Sequence, residues 1–496
     1  MSVTPQNQSG IDPAVELSPS EFNDLLQREF KPRGEPVREA IESAVQTLAQ
    51  QALRTTHLIA HDTLGTIQAL IGEIDARLSA QVNDILHHPD FQAVEAAWRG
   101  LDYLVSNTET DEKLKIRFLN VAKDEVAREL KKFKGAAWDQ SPLFKKIYEH
   151  EYGQLGGEPF GVLIADFYFD NSPPDVELLA SLAKIAAAAH APLISAASPA
   201  VMLMDSWREV ANPRDLSKLF LTPEHAAWRN LRRSEDSRYI GLTMPRFLGR
   251  IPYGARTAPV EEFAFEEVTE GQAQNYLWSN AAYAMGININ RSFKEYGWCS
   301  RIRGIESGGA ISGLPVHTYP TEEGGVDMTC PTEVAISDRR EVELAKNGFM
   351  PLVHCKNTSL AAFIGAQSLH CPQEYDDPDA TANAQLAARL PYLFATCRFA
   401  HYLKCIVRDK IGSFSEREDM EIWLNNWIVK YVEHNPATAS DADKARKPLA
   451  GAEVVVQEVD GSPGFYQAKF FLRPHYQLEG LSVSLRLVSQ LPSVKG

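Results

Sequence analysis

The sequence predicts a mixed α/β (α+β) protein with helices at its N-terminal end and a small β element at its C-terminal end. Three observations predict it. Apolar residues recur at spacings of three and four between residues 36 and 105, the period of a helix face. From about residue 114 to 197, apolar runs alternate with a helical pattern, as in an α/β layer with parallel pairing. Over 452–496 the pattern becomes strict alternation, as in Val483, Leu485 and Leu487 against Ser482, Ser484 and Arg486.

The elements follow in order. Residues 1–35 read as a flexible polar tail holding one short amphipathic helix. In SPSEFNDLLQREF, Phe22, Leu25, Leu26 and Phe30 fall within two or three turns, Ser20 can cap the start, and Pro32 and Gly34 end it. A helix this short is marginal in water, so it needs a groove on a partner or on its own domain. Residues 36–110 form a helical region. Val37, Ile41, Val45, Leu48 and Ala52 make one stripe. Ile67, Ile71, Ile74, Leu78, Val82 and Ile85 make a second, over about 61–88. Phe91, Val94, Trp98 and Leu101 make a third, over about 89–105. Such stripes serve internal packing and subunit contacts equally well.

Residues 111–375 read as the α/β core. LKIRFLNV, FGVLIAD, PLISAAS and RYIGLTM are expected strands. DEVARELKKF, VELLASLAKIAAAAH and QNYLWSNAAYAMGININRSF are expected helices. The stretch 297–375 is rich in Gly and Pro, with short strands expected at ISGLPVHTY, TEVAIS, FMPLVHC and LAAFIGAQSL and one helix at DRREVELAKNG. Residues 376–434 are helical, with a break or kink expected at Pro391 and an acidic first turn at EREDMEIWLNNW. Residues 435–451 are polar and read as a linker. The strands of 452–496 either complete a sheet of their own domain or offer their edges to another chain.

Composition narrows the function. With 496 residues, 44% hydrophobic and 23% charged, the chain is an ordinary packed globular protein of two to four domains. It has no 18-residue apolar run to insert in a membrane and no secretion signal in MSVTPQNQSGIDP, so the cytoplasm is the expected compartment. A net charge of −15 argues against nucleic-acid binding. The six cysteines are expected to be reduced.

Little catalytic chemistry is visible. ESGGAISG lacks the Lys-Ser/Thr of a phosphate loop, and HLIAH lacks the Glu of a zinc protease. His354-Cys355 and His370-Cys371 are adjacent pairs whose side chains diverge on a strand. Cys397, His401 and Cys405 spread over two helical turns, about 12 Å, too far for one tetrahedral ion. No catalytic residue, metal or cofactor is expected. The rival readings are an α/β enzyme with its site in the 297–375 loops and a soluble adaptor using only the N-terminal helix.

Long strings of the sequence then carry a resemblance to a known family. DFQAVEAAWRGLDYLV, GGEPFGVLIADFYFDNSPPDVELL, SRYIGLTMPRFLGRIPYG, NINRSFKEYGWCSRIRGIESGG, YDDPDATANAQLAARLPYLFATCRFAHYLKCIVRDKIGSF and FFLRPHYQLEGLSVSLRLVSQLP closely resemble the large sheath proteins of type VI secretion systems, the TssC/VipB family. The match runs in order from about residue 36 to 491. The resemblance implies a phage-tail-sheath-like core and a structural role. It implies a small sheath partner (TssB/VipA), helical polymerisation with copies of itself around an inner tube (Hcp) on a baseplate, and recycling by the ClpV ATPase. It also assigns residues as expectations. Phe22, Leu25, Leu26 and Phe30 would form the ATPase-recognition helix. Val454, Val456, Phe470, Leu472, Val483, Leu485 and Leu487 would lie on strands shared between subunits. Independently of the resemblance, the charged helix start at Glu416, Arg417, Glu418 and Asp419 is the expected tube-facing surface, since exposed charges attach weakly and reversibly.

Overall fold

The computed structural model describes residues 39, 43, 63–211, 215–269, 272–320, 325–409, 417–458, 466–475 and 485–490. Phe22, Leu25, Leu26, Phe30, Glu416 and Val483 lie outside them, as does the helical stripe of 36–52 apart from Glu39 and Ser43.

The chain divides into two compact units. The first draws on Met1–Leu86 and Tyr253–Glu267. Its described helix is α1 (Thr63–Leu86), matching the second stripe. Asn83 Nδ2 on α1 donates to the Glu266 carbonyl at 3.0 Å.

The second unit, His87–Pro252 with Val268–Gly496, holds everything that follows. It opens with α2 (Pro89–Ser106), where Pro89 fits the first turn and His88 accepts the Asp90 N–H. LKIRFLNV, expected as a strand, pairs with no strand. Phe118 and Leu119 are exposed there, and Lys115 and Arg117 are held by ion pairs to Glu158 and Glu151.

Helix α3 (Lys123–Lys132) leads into the main layer. That layer contains β1 (Leu163–Phe169), α4 (Pro173–Ala189), β2 (Leu193–Ala197), α5 (Ala226–Arg233), β3 (Ile240–Met244), α6 (Ala281–Tyr296), β4 (Ala310–Ile311), α7 (Asp338–Lys346), β5 (Phe349–His354) and β6 (Ala361–Phe363). The six-stranded sheet has the order β1-β2-β3-β5-β6-β4. The first four strands are parallel, and β6 is antiparallel to both β5 and β4. TEVAIS forms no strand; it makes only an isolated antiparallel bridge, Thr332 to Phe247. ISGLPVHTY is split between β4 and a small hairpin, Thr318–Pro320 with Val326–Met328; Gly313, at φ +72°, lies at the break.

Two apolar cores flank the sheet. On one face Leu179, Leu182, Ala183 and Ala186 of α4 pack with Trp207, Trp228, Leu242 and Phe349. The other joins Ala282, Met285 and Ile289 of α6 to Ile194, Met350, Leu352 and Phe363. Packing there is tight at Gly241 of β3. A Cβ would sit 2.7 Å from the Met350 methyl and 2.8 Å from Ile194 Cδ1, so a larger residue would make those side-chain ends shift.

The helical pattern of 379–411 is two helices, α8 (Pro378–Ala387) and α9 (Leu390–Asp409). The break falls just before Pro391, because proline is tolerated in a first turn and not beyond it. α10 (Arg417–Ile428) follows. The segment 435–451, expected as a linker, contains a short helix at Asp441–Arg446, and the first C-terminal strand starts at Leu449. Strands β7 (Leu449–Glu458), β8 (Tyr466–Pro474) and β9 (Leu485–Gln490) form an antiparallel sheet in that order.

Candidate assembly surface

The C-terminal sheet is anchored by one face. Val454, Val456, Ala468, Phe470 and Leu472 alternate along β7 and β8 and are buried against Phe399 and Leu403 of α9 and Leu424 and Ile428 of α10. Trp298 stacks on Phe399 at 4.5 Å between ring centres, and Tyr431 stands edge-on to both. Burying each of these large side chains stabilises the docked sheet by roughly 1.5–3 kcal/mol.

The two edges of the sheet differ. At β7, the backbone groups facing away from β8 are taken by side chains of α10. Asn425 accepts the Val454 N–H at 2.9 Å and donates to the Val454 carbonyl at 2.8 Å. Glu421 Oε2 accepts the Val456 N–H at 2.8 Å. The helix thus imitates a fourth strand and closes this edge.

At β9 no further strand is paired among the described residues. The register names the groups that face away from β8. Val454 points its backbone away from β8, so its opposite number Phe470 points toward β9, where it meets Leu487. Leu485, Leu487 and Ser489 therefore bond inward to β8. Arg486, Val488 and Gln490 direct N–H and C=O outward.

The structure brings the expected assembly residues together unevenly. Val454, Val456, Phe470 and Leu472 supply the buried face, while Leu485 and Leu487 stand opposite Leu472 and Phe470 on the outer strand. Of the expected tube-facing set, Arg417 begins α10, and Glu418 and Asp419 are exposed in its first turn. Asn425 and Glu421, which close the inner edge, were not singled out by sequence. Nothing local distinguishes them, since the groups they satisfy lie 29 and 35 residues away.

Replacing Asn425 with Ala is expected to destabilise the docked sheet by about 2 kcal/mol, because two hydrogen bonds are lost and Val454 is left unpaired. Urea unfolding would read the loss, and faster amide exchange at Val454 would localise it. Unchanged exchange there would show that the edge is not closed by Asn425.

The three candidate histidines each bond a backbone carbonyl. His401 is buried and its Nε2 donates to the Ala189 carbonyl at 2.9 Å. His354 Nε2 bonds the Thr358 carbonyl at 2.7 Å, and His370 Nδ1 bonds the Ser234 carbonyl at 3.0 Å. Burial raises the Asp166 carboxyl, which Asn280 holds at 3.0 Å inside the layer. Among the described residues no three His, Cys, Asp or Glu converge as metal ligands, and no helix is long and apolar enough to cross a membrane. A cavity of about 30 Å³ bordered by Ser300, Tyr392, Lys444 and His475 has room for a water or two.

Comparison with known proteins settles the family. Residues 68–370 match the EvpB/VC_A0108 tail sheath N-terminal domain, and residues 379–491 match the EvpB/VC_A0108 tail sheath gpW/gp25-like domain. The chain belongs to the TssC/VipB family of sheath proteins. It is 70% identical over 477 residues to the type VI secretion system sheath protein TssC1 of Pseudomonas aeruginosa, covering 96% of each chain. A chain of the anti-feeding prophage baseplate aligns over 80% of this chain and 83% of its own, at 13% identity and a TM-score of 0.30, too loose a likeness to say anything of the fold. The family boundary between 370 and 379 falls just before α8, so the second domain comprises α8 to α10 and the C-terminal sheet. As a TssC/VipB protein the chain is the large subunit of a contractile sheath, and sheath subunits are structural.

Proposed function

We propose that this chain pairs with a small sheath subunit, polymerises helically around an inner tube on a baseplate, and drives the tube outward by contracting, without catalytic residues of its own. The single observation that carries the reading is the asymmetric C-terminal sheet: one edge closed by Asn425 and Glu421, the other lined by outward-facing groups of Arg486, Val488 and Gln490. An exposed edge in a folded protein invites a strand from another chain. Contraction is then a move between two packings of the same subunits, and each need supply only a few kcal/mol because many act together. Glu416, Arg417, Glu418 and Asp419 would meet the tube through weak, reversible ion pairs.

The test is electron microscopy of the chain co-expressed with its small partner. Hollow tubules are the expected product. Discrete particles would overturn polymerisation and favour the adaptor reading.

The helix of Phe22, Leu25, Leu26 and Phe30 is the proposed handle for the ClpV ATPase. Changing Leu25 and Leu26 together to Asp is expected to abolish binding of the ATPase recognition domain while leaving tubules intact. Binding that survives the change would remove this role.

A further inference from the structure

Helix α2 is apolar on two faces, and one of them is open. Its inner face packs against α6. Gly100 lies so close to Tyr283 that a Cβ would fall 2.3 Å from the ring, and Leu104 joins Tyr283 and Ile287 in a buried cluster. Its outer face carries Phe91, Val94, Trp98 and Val105, spaced by three, four and seven residues, and exposed by 41%, 59%, 59% and 46%. The unpaired segment that follows adds Phe118, 58% exposed with its ring 5.9 Å from that of Trp98, and Leu119, 50% exposed. Scattered apolar residues on a surface are ordinary, but a continuous stripe centred on an exposed Trp is how docking surfaces are built.

The rim of the stripe says what kind of chain fits it. Over residues 89–119 the acidic residues are Asp90, Glu95, Asp102, Glu109, Asp111 and Glu112, and the basic ones are Arg99, Lys113, Lys115 and Arg117, of which Lys115 and Arg117 are paired with Glu158 and Glu151. Glu95 is paired with Arg99 and Arg250, and Asp111 with Lys294. Asp90, Asp102, Glu109 and Glu112 remain as exposed carboxylates, set against Lys113. Two copies of this face would bring like charges together. The chain as a whole carries −15. A partner with an apolar helical stripe edged by Lys and Arg is complementary in both shape and charge.

We infer that the outer face of α2, with Phe118 and Leu119, is the docking surface for a different chain of the sheath, one that presents an apolar stripe flanked by basic residues. The inference rests on the pairing proposed above, in which that chain is the small sheath subunit.

The test uses the full chain, alone and co-expressed with the small subunit. Oxidative labelling of Trp98, read by mass spectrometry, should be fast in the chain alone and at least tenfold slower in the complex. Changing Trp98 and Phe118 together to Asp should weaken capture of the small subunit about 30-fold or more, the scale of an interface hot spot. The variant's melting temperature should stay within about 2 °C, as expected for exposed positions. Trp98→Phe should retain capture within about tenfold, because most of the apolar area survives. Equal labelling in the complex, or full capture by the double variant, would overturn the inference. So would protection of Trp98 in the chain alone, which would mean that a second copy or the chain's own N-terminal residues cover the face. Failure of the unaltered chain to capture any small subunit would instead strike the pairing itself, and the inference with it.

Discussion

Replacing Val488 with proline is expected to abolish tubules while leaving the chain folded. Val488 directs its N–H away from β8, so the intrachain ladder loses nothing. Proline is tolerated at such edge positions and denies an incoming strand its hydrogen bond and its close approach. A loss of about 1.4 kcal/mol at each junction raises the critical concentration for assembly tenfold, and the steric block adds to it. Val488→Thr keeps the N–H and the β-branched shape and should assemble normally. Circular dichroism would confirm folding, and negative-stain microscopy would count tubules. Abundant tubules from the proline variant would mean that β9 is not the assembling edge. A deletion of 452–496 is a poorer test, since it also removes Val454, Val456, Phe470 and Leu472 from the core that holds α9 and α10.

The second large effect is a loss of stability in mild acid. Burial lowers the His190 ring to about 4, helped by the charge of Lys404. Burial lowers His401 to about 3, helped by Arg398, His190 and Lys404 and partly opposed by its bond to the Ala189 carbonyl. The rings lie 6.3 Å apart, against Tyr152, and His190 also faces Tyr239. The Nδ1 of each is buried without a partner, so neither ring can take a second proton cheaply. Both are therefore neutral when folded, while an unfolded histidine titrates near 6.5. Below that pH the unfolded chain binds more protons, so stability falls as pH drops from about 6.5 toward the folded values. Between pH 7 and pH 5 the two together should cost about 3–4 kcal/mol. His190→Asn suits the left-handed backbone at this helix end, φ +50°, and should remove about half of that dependence. Urea midpoints at the two pH values would measure it. A stability unchanged from pH 7 to pH 5 would contradict the buried neutral pair.

Much of the fold was legible because burial writes itself into sequence. β2, β3 and β5 are mostly apolar and buried at nearly every position, since parallel strands are covered on both faces. α4 follows from an apolar helical pattern ended at His190, and the strands expected from Ala452 onward form as β7, β8 and β9. Alternation reports faces, however, and not edges. Which edge of the C-terminal sheet is closed depends on Asn425 and Glu421 meeting a strand far along the chain, and no local pattern records that. LKIRFLNV misled for a related reason. It has the composition of a strand, but a strand also needs a neighbour, and here Lys115 and Arg117 are held by carboxylates instead. His401 is buried, and its acceptor at Ala189 stands 212 positions away, beyond any local pattern.

Helix α9 has one end in each of two cores. Leu390, Leu393, Phe394 and Cys397 belong to the second face of the main sheet, and Phe399 and Leu403 belong to the seat of the C-terminal strands. At 1.5 Å per residue its 20 residues make a strut about 30 Å long. A tug on β9 would enter this strut directly, since β9 lies against α9, and leave it at Leu390 beside the parallel strands. A slack tether would swallow such a pull; a rod clamped at both ends passes it on as displacement.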